Sequence, residues 1–185
     1  NHIKGDMLST KDVAAAIKKN DIVINLVGLS PLKNPRGTSY KKVHIDAVKN
    51  IVHVCKKKKI KRFVHVSALG ASKKSDHPYL QTKAQAEDII RKARIPTTIF
   101  CPSVMYGKDN EIIKMIGSHA WTRFFPHIPA KLQPVFVKDV AKLIALAAEG
   151  RVKEKRLEIG GPEILSLFGM AKIIYAHKGY LCHPI

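Results

Sequence analysis

The sequence is poor in acid. Fourteen Asp and Glu stand against 33 Lys and Arg in 185 residues, a net charge of +19 at pH 7. Such an imbalance attracts polyanions: nucleic acid, anionic lipid or an acidic protein partner. Cysteine is scarce. Cys55, Cys101 and Cys182 lie far apart, and no CxxC spacing occurs. That argues against a disulfide framework or a zinc site and for a reducing compartment. Aromatic residues make up 6%. None interleaves with the densest basic run, Lys56-Lys57-Lys58-Lys59 and Lys61-Arg62, so base stacking is not indicated. The run suits a solvated helix end, where the macrodipole favours cations. No apolar run approaches the ~20 residues needed to cross a bilayer. Asn1 to Asp6 contain no signal-peptide core and no initiator Met, so the N-terminus reads as truncated or processed.

What is present is a globular balance, 45% hydrophobic and 25% charged, in a length that suits one domain and one core. Ser9-Thr10-Lys11-Asp12 resembles a capping box and opens a helix to about Asn20. Ile22 to Val27 is a near-continuous apolar run, as in a strand buried on both faces of a parallel sheet. Gly28 to Gly37 reads as a loop. Tyr40, Val43, Ala47, Val48, Ile51, Val52 and Cys55 recur at helical spacing over Ser39 to Lys58. Phe63 to Ser67 is a short strand, and Pro78 starts a helix to about Lys92. Thr97 to Cys101 is a β-branched strand. Helices follow over Asp109–His119, Val137–Glu149 and Leu167–His177, with a short strand at Leu157 to Ile159. Trp121 to Pro134 has no clear period. Alternating strands and helices imply βαβ units around a parallel sheet.

Tyr79 and Lys83 are four residues apart on a helix and share a face. A neighbouring ammonium favours phenolate and lowers the tyrosine pKa, which suits Tyr79 to acid/base work on a carbonyl or alcohol. A partly buried tyrosine on a surface helix is the bland alternative. Ser67 ends the strand before that helix, and ligands of parallel sheets bind beyond the carboxyl ends of strands. Its hydroxyl would polarise a substrate carbonyl. Asn25 and Gly28 end the preceding strand at the same edge, where glycine lets backbone approach a ligand closely. His53 and His65 read as histidines within apolar segments, with no metal partner and no metal site expected.

Several ordered motifs together resemble the extended or atypical short-chain dehydrogenase/reductases. They are Gly5-Asp6-Met7-Leu8, Asn25-Leu26-Val27-Gly28, Val66-Ser67-Ala68-Leu69-Gly70-Ala71, the Tyr79/Lys83 pair, Pro102-Ser103-Val104-Met105-Tyr106-Gly107, Gln133 to Ala141 and Ile159-Gly160-Gly161-Pro162-Glu163. Within that family the match is closest to the nucleotide-binding accessory subunits of respiratory complex I and their bacterial relatives. The resemblance implies an α/β, Rossmann-type, doubly wound parallel sheet in one NAD(P)-binding domain over residues 1–185. Residues 1–107 would form the cofactor core and 108–185 a small irregular substrate-side part. It also implies roles. Ser67, Tyr79 and Lys83 would be catalytic. Asp6 and Met7 would meet the adenine, Asn25 and Gly28 the adenosine and ribose, Lys83 the ribose hydroxyls, and Pro102, Ser103 and Val104 the nicotinamide.

Two departures qualify this. The family's G-x-x-G-x-x-G turn, whose helix N-terminus receives the pyrophosphate, is absent, so the sheet is expected to lack its first strands and to expose apolar edges. His44 stands where many extended members carry Asn. Three functions remain open. The leading one is an NAD- or NADP-binding accessory subunit of a respiratory NADH:quinone oxidoreductase, in the cytoplasm or mitochondrial matrix, peripheral to a membrane complex. Its partners would be respiratory complex subunits or an anionic membrane surface. The second is an active NAD(P)-dependent oxidoreductase or nucleotide-sugar epimerase/dehydratase. The third is a charge-driven polyanion binder, without a nucleic-acid motif to support it.

Overall fold

A computed structural model describes residues 2–32, 37–108, 110–128 and 130–185. Part of the expected Gly28 to Gly37 loop and the first residue of the expected Asp109 helix lie outside them. The chain forms two compact units, residues 1–101 with 143–158, and residues 102–142 with 159–185.

The first unit is built on a sheet in the order β1-β2-β3-β8, from β1 (Ile22–Asn25), β2 (Arg62–Val66), β3 (Thr97–Pro102) and β8 (Arg156–Ile159). β1 pairs with β2 in parallel from Ile22↔Arg62 to Asn25↔His65, and β2 with β3 from Phe63↔Thr97 to Val66↔Phe100. That register brings Asn25, Ser67 and Cys101 to one end of the sheet. Helices α1 (Thr10–Ala16), α2 (Ala47–Lys58) and α3 (Pro78–Lys92) supply Val13, Ile17, Val48, Ile51, Val52, Ala86 and Ile90 to one core with Phe63, Ile99 and Cys101. β1 is an edge strand, and its Ile22 and Ile24 are exposed, whereas the apolar run there reads as a strand buried on both faces; at a sheet edge one flank has no neighbour to cover it.

Several boundaries differ from the sequence reading for local reasons. The capping box is half formed. Asp12 N–H donates to Ser9 Oγ, but the Asp12 carboxylate accepts the N–H of Asp6 instead of Ser9. α1 stops at Ala16 because Ile17 is extended and Asp21 captures the Lys18 N–H. The long helix opens as a π-helical stretch, Lys41–Asp46, before α2. α2 ends as the basic run suggests: Lys56, Lys57 and Lys58 fill the last turn and Lys59 closes it in the left-handed region (φ 52°).

The second unit contains α4 (Glu111–Ser118), a 3-10 turn (Ala120–Thr122) and α6 (Leu167–His177). Its strands pair in twos: β4 (Met105–Tyr106) with β7 (Val135–Phe136), β5 (Phe124–Phe125) with β10 (His183–Pro184), and β6 (Lys131–Leu132) with β9 (Leu165–Ser166). The stretch from Trp121 to Pro134 lacks a period because it supplies these two-residue strands. α5 (Val137–Ala148) runs from the second unit into the first.

Candidate functional site

The carboxyl end of the sheet in the first unit holds a buried polar network. Asn25 ends β1 and is buried. Its Oδ1 accepts the Val27 N–H, so its Nδ2 donates to His65 Nδ1 at 3.1 Å. The His65 proton then sits on Nε2, which is buried without a partner among the described residues. Burial, with help from Lys83 and His44, pushes the His65 pKa down to about 3. His44 comes from the π-helical stretch. Its Nε2 accepts the Leu29 N–H at 3.0 Å, so Nδ1 carries the proton toward Thr82 Oγ1 at 2.9 Å. Thr82 passes its own proton to the Pro78 carbonyl at 2.8 Å. Burial and Lys83 lower His44 to about 4, so it is neutral at physiological pH. It thereby anchors the loop after Gly28 to the start of α3.

Lys83 is 5% exposed. Its ammonium donates to the Val66 carbonyl at 3.0 Å and lies 6.0 Å from the centre of the Tyr79 ring. Burial lowers its pKa to about 8, although Cys101 and Glu87 oppose the shift. A Cβ built on Gly28 would stand 3.0 Å from Lys83 Nζ and 3.6 Å from His44 Nε2. Any side chain at position 28 would press on the ammonium.

Tyr79 is half-buried, packed edge-on against Tyr40 and His44 at 5.8 and 5.5 Å. Its hydroxyl makes no hydrogen bond among the described residues. The expected lowering of its pKa is not found. Burial raises it, with Tyr40 adding to the rise. The neighbouring ammonium is engaged by the Val66 carbonyl, so it does not offset the loss of water around the phenol.

Ser67 is buried and donates its hydroxyl to Glu87 Oε1 at 2.6 Å. Glu87 was not foreseen. It is 2% exposed and accepts from four groups: Ser67, Cys101 Sγ at 3.5 Å, Arg91 Nη1 at 3.1 Å and Arg156 Nε at 2.9 Å. The signal for it was spacing. Tyr79, Lys83 and Glu87 follow at i, i+4 and i+8 on one helix face, where an acid is out of place unless paired.

Asp6, Met7 and Asn25 come together in a cleft of about 230 Å³, with Gly5 beside them and Ile17, Val23, Ile24 and Ile51 as apolar walls. Asp6 keeps one carboxylate oxygen on the Leu8 N–H at 2.9 Å. Pro102, Ser103 and Val104 belong to the second unit. There Ser103 Oγ accepts the Gln133 N–H at 3.3 Å, and the Val104 carbonyl accepts the Val135 N–H at 3.0 Å.

Residues 1–149 match the family model described as NAD(P)H-binding. The chain belongs to the NAD(P)H-binding family. It is 27% identical over 190 residues to the mitochondrial NADH dehydrogenase (ubiquinone) 1 alpha subcomplex subunit 9 of Rattus norvegicus, covering 99% of the chain and 50% of that protein. The Arabidopsis thaliana subunit of the same name is 31% identical over 185 residues, 94% of the chain and 44% of that protein. The chain thus spans about half the length of these curated relatives. Among solved structures, a dTDP-glucose 4,6-dehydratase from Streptomyces venezuelae with NAD bound superposes at a TM-score of 0.83 and 17% identity, over 98% of the chain and 65% of the enzyme. A UDP-glucuronic acid 4-epimerase from Bacillus cereus with NAD bound gives 0.80 and 18%, over 98% and 66%. The family match, these relatives and these neighbours bear out the resemblance to extended short-chain dehydrogenase/reductases and the Rossmann-type parallel sheet.

Proposed function

We propose that this chain holds NAD or NADP without transforming a substrate, as an accessory subunit of a respiratory NADH:quinone oxidoreductase or a bacterial relative. The observation that carries this is the commitment of Ser67. Its hydroxyl is buried and given to Glu87, so it has no proton to offer a substrate carbonyl. Tyr79, whose proton burial retains, is a poor base near neutral pH.

The binding residues, by contrast, fit a dinucleotide. The cleft beside Asp6, Met7 and Asn25 has apolar walls and a carboxylate, as an adenine ring with its amino group requires. Gly28 leaves room that a Cβ would fill, and Lys83 supplies a donor at that place. When bound, the dinucleotide would supply hydride chemistry. The chain's own residues bind it and restrict water. The curated relatives named as mitochondrial NADH dehydrogenase subunits support the choice of assembly.

Titration of the chain with NADH and NADPH, followed by nucleotide fluorescence, tests the reading. Binding should survive Tyr79→Phe within twofold and fall at least tenfold in Lys83→Ala. No nicotinamide turnover should accompany it, and the chain should co-purify with the membrane respiratory complex. Turnover that Tyr79→Phe abolishes would sink the proposal. The second reading, an active oxidoreductase or epimerase, would then stand on the shared helix face of Tyr79 and Lys83.

A further inference from the structure

The second unit carries an exposed apolar surface on a backbone that holds it in place. β10 pairs with β5 in parallel, His183 opposite Phe124 and Pro184 opposite Phe125. The pairing continues through His183 N–H to the Arg123 carbonyl, Ile185 N–H to that of Phe125, and His127 N–H to that of Ile185, at 2.8, 3.3 and 3.2 Å.

Alternation sorts the side chains. Phe125 turns inward against Tyr175, within a core of Ile116, Ala120, Phe168 and Ala171. Phe124 turns outward with its partner His183, their rings 5.8 Å apart. The period of two places Leu181 and Ile185 on the same side as His183. Trp121 projects from the 3-10 turn just before β5. Relative exposures are 72% for Trp121, 51% for Phe124, 71% for Leu181 and 73% for Ile185. The buried Tyr175 hydroxyl donates to the Phe124 and His119 carbonyls at 3.0 and 3.3 Å, so the turn is fastened from below. These groups cannot simply fold inward.

The segments that carry them have charge of one sign. Residues 112–138 and 164–185 contain no Asp or Glu, and they hold Lys114, Arg123, Lys131, Lys138, Lys172 and Lys178. Large apolar side chains on segments whose only charged residues are cations match one environment in particular. At the boundary of an anionic bilayer, Leu, Ile and Phe reach the acyl region. Indole sits at headgroup depth, and Lys and Arg meet lipid phosphates. No helix among the described residues is long and apolar enough to cross a membrane, so contact would be at the surface.

We propose that the β5–β10 ladder and the turn before it seat this chain on an anionic membrane leaflet. This is independent of whether the first unit holds a dinucleotide.

The chain contains a single tryptophan, Trp121, which reports on this surface directly. Vesicles of phosphatidylcholine with about 30% phosphatidylserine should shift its emission to the blue and carry the chain into the pellet at 0.1 M salt. Pure phosphatidylcholine should bind at least tenfold more weakly, and 0.5 M salt should weaken anionic binding at least tenfold. Phe124→Glu with Leu181→Glu should abolish the shift. Should that pair fail to fold, Leu181→Ser with Ile185→Ser, both at exposed positions, should weaken binding at least fivefold. Unmoved Trp121 emission, equal affinity for neutral vesicles, or binding indifferent to a folded variant would each overturn the proposal. A dimer dissolved by Phe124→Glu, with no response to vesicles, would overturn it in favour of a protein interface.

Discussion

Two buried polar clusters lie one helical turn apart on α3, and they differ in how far their needs are met. Around Glu87 the needs are met in full. Two carboxylate oxygens receive a hydroxyl, a thiol and two guanidinium groups, from β3, β8, the end of β2 and α3 itself. Around Lys83 they are not. The ammonium has one carbonyl, His65 has an imidazole N–H with no partner among the described residues, and two histidines are held neutral by burial. A satisfied cluster has nothing left for a ligand and serves to fasten helix to sheet. An unsatisfied one costs stability while empty and offers donors when filled.

This contrast can be broken at each side. Removing Glu87 should have the largest effect. Glu87→Ala leaves Arg156 and Arg91 without their shared acceptor and should cost about 3 kcal/mol in a urea unfolding experiment. A loss under about 1 kcal/mol would mean the cluster does not fasten the fold. Acid should act next, and on the other cluster. His44 and His65 have folded pKa values of about 4 and about 3, below the ordinary 6.5. The unfolded chain therefore binds protons first as pH falls, and stability declines below pH 6.5. At pH 5.5 each histidine should cost about 1.4 kcal/mol. His44→Asn should halve the difference in unfolding free energy between pH 7.5 and 5.5; an unchanged difference would clear His44 of that role.

Lys83→Met should separate stability from binding. The lysine's folded pKa, about 8, lies below its ordinary 10.5, so the unfolded chain holds its proton more tightly. Stability from this group is missing below pH 8 and returns as pH rises from 8 to 10.5. The methionine variant should be about 1 to 2 kcal/mol more stable at pH 7 and should lack that rise. It should also lose dinucleotide binding at least tenfold; equal thermal shifts with NADPH in both proteins would count against Lys83 as a ligand. The smallest effect is expected from Gly28→Ala. Its methyl presses on Lys83 Nζ, which can yield slightly, so binding should weaken about threefold with under about 1 kcal/mol of stability lost.

Much of the first unit was readable in the sequence because its signals are local. The apolar faces of α2 and α3 repeat at helical spacing, and Pro78 and Lys92 bound α3 where the reading placed them. Asp6, Met7 and Asn25 were named from ordered motifs, and they share one cleft. What escaped depends on long-range pairing. Nothing near Glu87 in the chain announces Arg156, 69 residues away, or reveals that Ser67 would spend its hydroxyl inward. The direction of the Tyr79 shift was misjudged for a related reason. Its neighbour at i+4 was visible, but the burial contributed by Tyr40 and His44 was not. The two-residue strands of the second unit are too short to carry a period at all.

The order of the main sheet also sets a schedule for synthesis. β3 ends at Pro102 and its neighbour β8 begins at Arg156, so 53 residues separate partners that lie side by side. At roughly 5 to 20 residues per second, a ribosome needs about 3 to 10 seconds to deliver the second partner. During that interval the nascent chain presents β3 with one edge waiting, and Arg156, the last ligand of Glu87, does not yet exist. Elongation speed across residues 103–155 therefore governs how long an incomplete sheet is open to capture by chaperones or by its own copies.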